Sequence, residues 1–301
     1  MNRASRSQEF KSGLVSVIIP NYESEDYLPK AVKSVLDQEY RPIEIVIIDS
    51  SNSSVAKSLA ENHEEIIYEY REPIGVAAAR NEAIEVSSGE YIALLDADDY
   101  WSLGKLNTVI PELSDADVVY SDMYILRDGE EEYYETKQFE NHIHFFRSEL
   151  EIPSRTVVAC HYVFNDWMFN ENLKAREDPN LWTKLLSKYD FKYVPEPTGV
   201  KRIRKGSLTT NQLQHTQAKL NSLENLINTF PELEQYKKEK RLKYLAGHAR
   251  NHFEAGNNRK AAQLSLKCII SGEYTLTLLA VLGCSLLPNG ELIFTKLADM
   301  R

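Results

Sequence analysis

The first half of the chain alternates between two hydrophobic rhythms. Val15-Ser16-Val17-Ile18-Ile19-Pro20, Glu44-Ile45-Val46-Ile47-Ile48-Asp49, Ile66 to Tyr70, Tyr91 to Leu95 and Asp117 to Tyr120 are short, nearly unbroken apolar runs. Runs of that length read as buried strands. Between the first two, Tyr27, Leu28, Ala31, Val32, Val35 and Leu36 recur at helical spacing. Ser24 is expected to cap that helix, with Pro29 in its first turn. Gly75 to Val86 is alanine-rich and is expected to be helical, ending near Gly89. Strand and helix in alternation predict an α/β fold with a largely parallel sheet covered on both faces.

From Arg127 to Val157 the pattern weakens into a polar, tyrosine-rich stretch. After Gly206 the rhythm is helical throughout, over Gln212 to Thr229, Gln235 to Gly256 and Arg259 to Ser271. Tyr244, Leu245, Ala246, Phe253, Gly256, Ala261, Ala262, Leu264 and Leu266 resemble one tetratricopeptide-like helical pair. One pair cannot stack as a solenoid, so this region is expected to be a helical appendage. The division expected is a polar tail over residues 1–13, an α/β domain over 14–208 and a helical region over 209–301.

Composition narrows the function. A chain of 301 residues with 43% apolar content can bury a sizeable core. A formal charge of −10 argues against sequence-independent nucleic-acid binding, which needs a basic face. Cys160, Cys268 and Cys284 are few, odd in number and widely spaced, which suggests a reducing compartment without a disulfide framework. Met1 to Phe10 lacks the apolar core of a signal peptide. Tyr274 to Leu287 is too short to span a bilayer, which takes roughly 20 residues, and reads as a buried helix. The expected location is therefore cytoplasmic, with peripheral contact at the inner membrane face left open by that stretch and by the basic cluster Lys237 to Lys243.

The chemistry concentrates at strand ends. Tyr91 to Leu95 runs into Asp96-Ala97-Asp98-Asp99, three carboxylates within four positions. Such a cluster is tolerable if it reaches solvent or binds a cation, and hard divalent cations prefer oxygen ligands. Asp49 ends a second strand. In parallel sheets ligands bind beyond the carboxyl ends of strands, so the two acidic ends point to one shared site.

In sequence order, the motifs resemble the family 2 inverting glycosyltransferases. They are Val15 to Tyr22 (VSVIIPNY), Asp49, Gly75 to Asn81 (GVAAARN), Asp96 to Asp99 (DADD), Trp167 to Glu171 (WMFNE), Glu177-Asp178 with Leu181-Trp182, and Arg202 to Ser207 (RIRKGS). The resemblance covers roughly residues 14 to 210. It implies a GT-A fold, Rossmann-like with a mostly parallel sheet, and transfer of a sugar from a nucleotide sugar, most simply a UDP-sugar, to a hydroxyl of a glycan, polysaccharide or lipid-linked acceptor. It implies a divalent cation, Mg²⁺ or Mn²⁺, with Asp98 as its principal ligand. Asp96 would contact the ribose or share the metal. Pro20, Tyr22, Asp49 and Arg80 would hold the nucleotide or its neighbourhood. Asp178 would be the catalytic base, and Asp99 a solvated neighbour.

Two departures stand out. Asp49 is followed by Ser50-Ser51-Asn52 where the family often has a second aspartate and a glycine. Arg204 stands where the family's closing element has histidine. Arginine does not coordinate metal but grips phosphate bidentately, which assigns Arg204 to the diphosphate. Blander readings exist: Asp49 capping a turn in Asp-Ser-Ser-Asn, Arg80 pairing with Glu82 or Glu85 on a helix surface, and Glu177-Asp178 capping a helix that begins near Asn180. The rival functions are a sugar-nucleotide-binding scaffold without catalysis and a nucleotidyltransferase. His248 and His252, four apart, lack the pattern of a zinc site and read as surface residues.

Overall fold

The computed structural model describes residues 10–148, 150–203, 212–272 and 276–286. The chain divides into two compact units, Met1–Arg204 and Lys205–Arg301.

The first unit is built on one nine-stranded sheet. Its strands are β1 (Lys11–Asn21), β2 (Ile43–Asp49), β3 (Ile66–Tyr70), β4 (Gly89–Leu94), β5 (Tyr100–Trp101), β6 (Val118–Arg127), β7 (Glu130–Tyr134), β8 (Val158–Cys160) and β9 (Phe191–Arg202). The order is β3-β2-β1-β4-β8-β6-β9-β5, with β7 paired to β6. Helices α1 (Leu28–Leu36), α2 (Val55–Asn62), α3 (Val76–Val86), α4 (Lys105–Val109), α5 (His142–Arg147) and α6 (Glu177–Leu185) connect the strands.

The expected parallel sheet is present in one half. β3, β2, β1 and β4 run parallel. All seven residues of β2 are buried, as an unbroken apolar run requires of a strand covered on both sides. The other half is mixed: β8 is antiparallel to β4 and to β6, β7 to β6, and β5 to β9. β1 also begins earlier than Val15, at Lys11.

Register explains why distant motifs meet. Asn21 lies opposite Asp49, and Ile18 opposite Leu94. The carboxyl ends of β1, β2 and β4 therefore open on one edge, placing Tyr22, Asp49 and Asp96 at the same end of the sheet. The expected Ser24 cap does not form. Tyr27 is the N-cap residue of α1 without a side-chain bond. The Ser24 carbonyl instead accepts from the Tyr27 and Leu28 amides, and its hydroxyl turns back to the Tyr22 carbonyl at 3.2 Å.

The second unit contains α7 (Gln212–Thr229), α8 (Glu234–Glu254), α9 (Asn258–Ile270) and α10 (Leu276–Ser285). Leu245, Ala249, Phe253, Ala261 and Cys268 form its core with Leu278, Val281 and Cys284 of α10. Burying that face accounts for the apolar stretch after Tyr274. Among the described residues no helix is long and apolar enough to cross a membrane. Lys237 pairs with Glu224 at 3.0 Å, and Lys243 with Glu239 at 3.1 Å, so much of the basic cluster is compensated locally.

Candidate active site

Helix α3 starts the site. Gly75 is its N-cap residue with φ +88°, a left-handed value that side chains disfavour. A Cβ there would meet nothing within 4 Å, so backbone conformation and not crowding calls for glycine. Helix α3 packs against β1 and β2 and buries Arg80 and Asn81. Asn81 reads the main chain of the WMFNE segment. Its amide donates to the Phe169 carbonyl at 2.9 Å and accepts from the Phe169 amide at 3.0 Å.

Arg80 is the hub. It is 3% exposed. Its Nη1 donates to Asp178 Oδ1 at 2.6 Å and to Glu177 Oε1 at 3.0 Å, and its Nη2 donates to Asp96 Oδ1 at 2.6 Å. The surface pairing with Glu82 or Glu85 is thereby replaced, and Glu82 pairs with Arg71 instead, at 2.7 Å. Burial disfavours the Arg80 charge, but the fields of Asp178, Asp96 and Glu177 outweigh it and raise the pKa further above arginine's ordinary range. Arg80 touches Asp96, the residue expected at the ribose, and fixes it against Asp178.

Arg155, its side chain 11% exposed, brings a second guanidinium to the site, and no sequence motif points to it. Its Nε donates to Asp99 Oδ2 and its Nη2 to Asp96 Oδ2 at 3.3 Å. Asp99 was expected to be solvated. It is 2% exposed, held by Arg155 and by the Arg202 amide at 2.8 Å. The Arg202 guanidinium reaches the Asp98 carbonyl at 2.9 Å and stacks over Tyr27 and Tyr100. These bonds lock the acidic turn to the end of β9.

The carboxylates differ sharply. Burial opposes ionisation of Asp96, yet Arg80 and Arg155 outweigh it and hold the carboxyl below its usual range. Burial, reinforced by Asp96 and Asp98 against the pull of Arg155, pushes Asp99 up to about 6. Burial and the adjacent Asp178 push Glu177 up to about 7 despite Arg80.

Helix α6 begins at Glu177, earlier than Asn180, after Arg176 in a left-handed conformation with φ +69°. Asp178 thus sits in the first turn. Its carboxylate is not a cap: Oδ1 accepts from Arg80 and Oδ2 from the Ser154 hydroxyl.

At the neighbouring strand ends, Asp49 is fully buried, and its Oδ1 accepts from Asn21 Nδ2 at 2.8 Å and from the Ser51 amide at 3.0 Å. Ser51 therefore has a definite place in the departure from the family pattern, since its hydroxyl also accepts from Asn21 and from the Glu23 amide, each at 3.0 Å. Pro20 is half-buried at the end of β1, and Tyr22 is 55% exposed beyond it. Arg204 lies outside the described residues.

Among the described residues no group of three or more His, Cys, Asp and Glu side chains is arranged to hold a metal ion. His248 and His252, half-buried on α8, have ring centroids 4.5 Å apart in edge-on contact. A cation arriving with a diphosphate needs only one or two protein carboxylates, the remaining oxygens coming from phosphate and water. Asp98, half-buried in the acidic turn two positions after Asp96, is a carboxylate of that kind, while both Asp96 oxygens accept from arginines.

Comparison with known proteins agrees with this architecture. The chain is 29% identical over 190 residues to TuaG of Bacillus subtilis (strain 168), a glycosyltransferase named for teichuronic acid biosynthesis, covering 58% of this chain and 73% of TuaG. It is 30% identical over 207 residues to an uncharacterized glycosyltransferase of Rickettsia felis, covering 65% of this chain but only 34% of that longer protein. It is 36% identical over 120 residues to the Escherichia coli UDP-Glc:alpha-D-GlcNAc-diphosphoundecaprenol beta-1,3-glucosyltransferase WfaP, covering 38% of this chain and 48% of WfaP. Its fold is similar to that of S. aureus TarS 1–349 in complex with UDP-GlcNAc, with a TM-score of 0.60 at 18% identity over 86% of this chain and 81% of TarS 1–349. It is equally similar to the mannosyltransferase PcManGT of Pyrobaculum calidifontis in complex with GDP-Man and Mn²⁺, with a TM-score of 0.60 at 17% identity over 93% of this chain and 83% of PcManGT. Residues 16–172, more than half of the chain, match the family description Glycosyl transferase family 2, and the chain belongs to that family.

Proposed function

We propose that the protein transfers a sugar from a nucleotide sugar to an acceptor hydroxyl with inversion, by a single displacement. The observation that carries this reading is the Arg80 junction, where the acidic turn at Asp96 and the acidic helix start at Asp178 meet on one guanidinium. In this reading Asp96 serves the donor side and Asp178 the acceptor side, and their shared partner Arg80 supports a single site that holds both reactants. In the step, Asp178 accepts the acceptor's hydroxyl proton while that oxygen bonds to the anomeric carbon. The bond from the anomeric carbon to the diphosphate breaks, and the nucleoside diphosphate leaves with the electron pair.

Asp98 is the proposed metal ligand, with Asp96 beside it at the ribose or sharing the metal. A divalent cation bound there supplies positive charge to the departing diphosphate. Pro20, Tyr22 and Asp49, at the ends of β1 and β2, are proposed to face the nucleotide, and Arg204 its phosphates. UDP is the favoured nucleotide because WfaP is named for UDP-Glc and TarS was solved with UDP-GlcNAc. The proposed acceptor is a glycan, polysaccharide or lipid-linked saccharide, the last as in the name of WfaP.

The test is a thermal-shift screen of UDP, GDP and other nucleoside diphosphates with and without Mn²⁺, followed by product analysis. Ligands that bind the folded state raise its melting temperature with the logarithm of concentration over Kd. UDP stabilisation that grows with Mn²⁺, and release of UDP from a UDP-sugar, support the reading. Release of pyrophosphate from UTP and a sugar 1-phosphate would make the protein a nucleotidyltransferase, and binding without turnover a scaffold.

A further inference from the structure

We infer that the single turn Ser154–Thr156 is the positioning element of this site, Ser154 orienting the Asp178 carboxylate and Arg155 orienting the acidic turn at Asp96 and Asp99. The inference rests on the transfer reading above and extends it to residues outside all of the motifs.

The turn is anchored from beneath. Lys105 is 1% exposed, and its ammonium donates to the Arg155 and Thr156 carbonyls at 3.2 and 2.8 Å and to Thr198 Oγ1 at 3.3 Å. Thr156, fully buried, donates to the Pro153 carbonyl at 2.8 Å and accepts from the Ser121 amide at 3.2 Å. Strand β9 makes room for the arginine. A Cβ on Gly199 would stand 3.3 Å from both Arg155 Cγ and the Arg155 carbonyl oxygen. Held this way, the two side chains leave the turn in fixed directions.

Their targets differ in chemical role. The Ser154 hydroxyl, from a residue 3% exposed, fixes the one oxygen of Asp178 that Arg80 does not bind. A carboxylate tethered at both oxygens cannot swing about its last torsion, so its remaining lone pairs keep one direction toward an acceptor. Each oxygen has two such pairs, so tethering does not exhaust them. Arg155 spans Asp96 and Asp99 with two edges of its fork, while its Nη1 rests on the soft Met123 sulfur at 3.3 Å. A planar fork sets the relative orientation of two carboxylates; a point charge does not. One turn therefore acts on the acceptor side through Ser154 and on the donor side through Arg155.

That division gives separable signatures. Ser154→Ala is expected to lower kcat roughly 10-fold, the scale of one lost orienting hydrogen bond, with the Kd for UDP and Mn²⁺ unchanged. Ser154→Thr, which keeps the hydroxyl, is expected to recover most of that rate. Arg155→Lys is expected to weaken UDP binding in the presence of Mn²⁺ by roughly 10-fold while kcat at saturating donor falls less. Calorimetry with UDP and Mn²⁺, steady-state kinetics and melting temperatures on the full chain read all three. If Ser154→Ala turns over like wild type, or if both variants lose rate and affinity together in step with melting temperature, the inference fails. If the wild-type protein binds none of the nucleoside diphosphates in the screen and releases none from a nucleotide sugar, the transfer reading fails first and takes the inference with it.

Discussion

Arg80 and Asp178 lie 98 positions apart in sequence and 2.6 Å apart in the fold. The same guanidinium holds Asp96 at 2.6 Å and Glu177 at 3.0 Å. One buried cation therefore joins the loop after β4 to the first turn of α6. It is a structural tie and an electrostatic one, because it partners carboxylates that would repel one another without it.

Replacing Arg80 tests the tie. Removing one partner of a buried ion pair leaves an uncompensated charge and typically costs about 3–5 kcal/mol. Arg80→Met is expected to lose stability on that scale in urea unfolding. Arg80→Lys should lose less, since it keeps the charge but not the fork. A loss for Arg80→Met below about 1 kcal/mol would mean that the carboxylates find other partners.

Glu177 gives the site a pH signature. Its folded pKa, near 7, lies above the ordinary glutamate value because burial and Asp178 disfavour its charge. The folded state then binds more protons than the unfolded one, so the contribution to stability is full below the unfolded pKa and is lost as pH rises through about 7. Asp99, near 6 through burial and its acidic neighbours, has the same sign over a lower window. Asp96, held low by the two arginines against burial, has the opposite sign: its contribution is lost as pH falls through its depressed pKa. Glu177→Gln should therefore gain melting temperature relative to wild type as pH rises from 5 to 8. A constant offset across that range would contradict the assignment.

The sequence made half of the sheet readable. β1, β2 and β4 announce themselves because their central residues are covered on both faces, which demands continuous apolar runs, while β3, an edge strand with only Ile66 buried, shows a shorter one. The β6–β7 hairpin does not. Its outer residues Glu130, Glu131, Glu132 and Tyr133 are exposed, so no apolar pattern marks it. β9 contains Pro195 and Pro197, residues that argue against a central strand. It accommodates them where its register with β6 shifts at Ser121 and Asp122. In the candidate site, Asp96, Asp98 and Asp178 stood out because clustered acids at element ends are unusual. Arg155 and Ser154 were illegible because a lone arginine in a polar stretch carries no spacing signal, and only the fold sets it beside residues 56 to 59 positions away. Asp99 looked like a surface acid for the same reason.

Asp98→Asn probes the metal. The amide keeps an oxygen ligand but loses the charge that matches a divalent cation. Titration calorimetry is expected to show UDP binding that Mn²⁺ no longer strengthens. Undiminished enhancement would place the cation on other ligands.

The most direct test of transfer by Asp178 is Asp178→Asn, with turnover, UDP affinity and melting temperature measured on one preparation. Asparagine keeps the shape and leaves Arg80 paired with Asp96 and Glu177, but it cannot take the acceptor's proton. Losing a general base typically costs on the order of 10²- to 10⁴-fold in rate. The expected result is a fall in kcat on that scale, with UDP affinity and melting temperature changed little. Near-wild-type turnover would contradict the account and move the base to Glu177 or another acid.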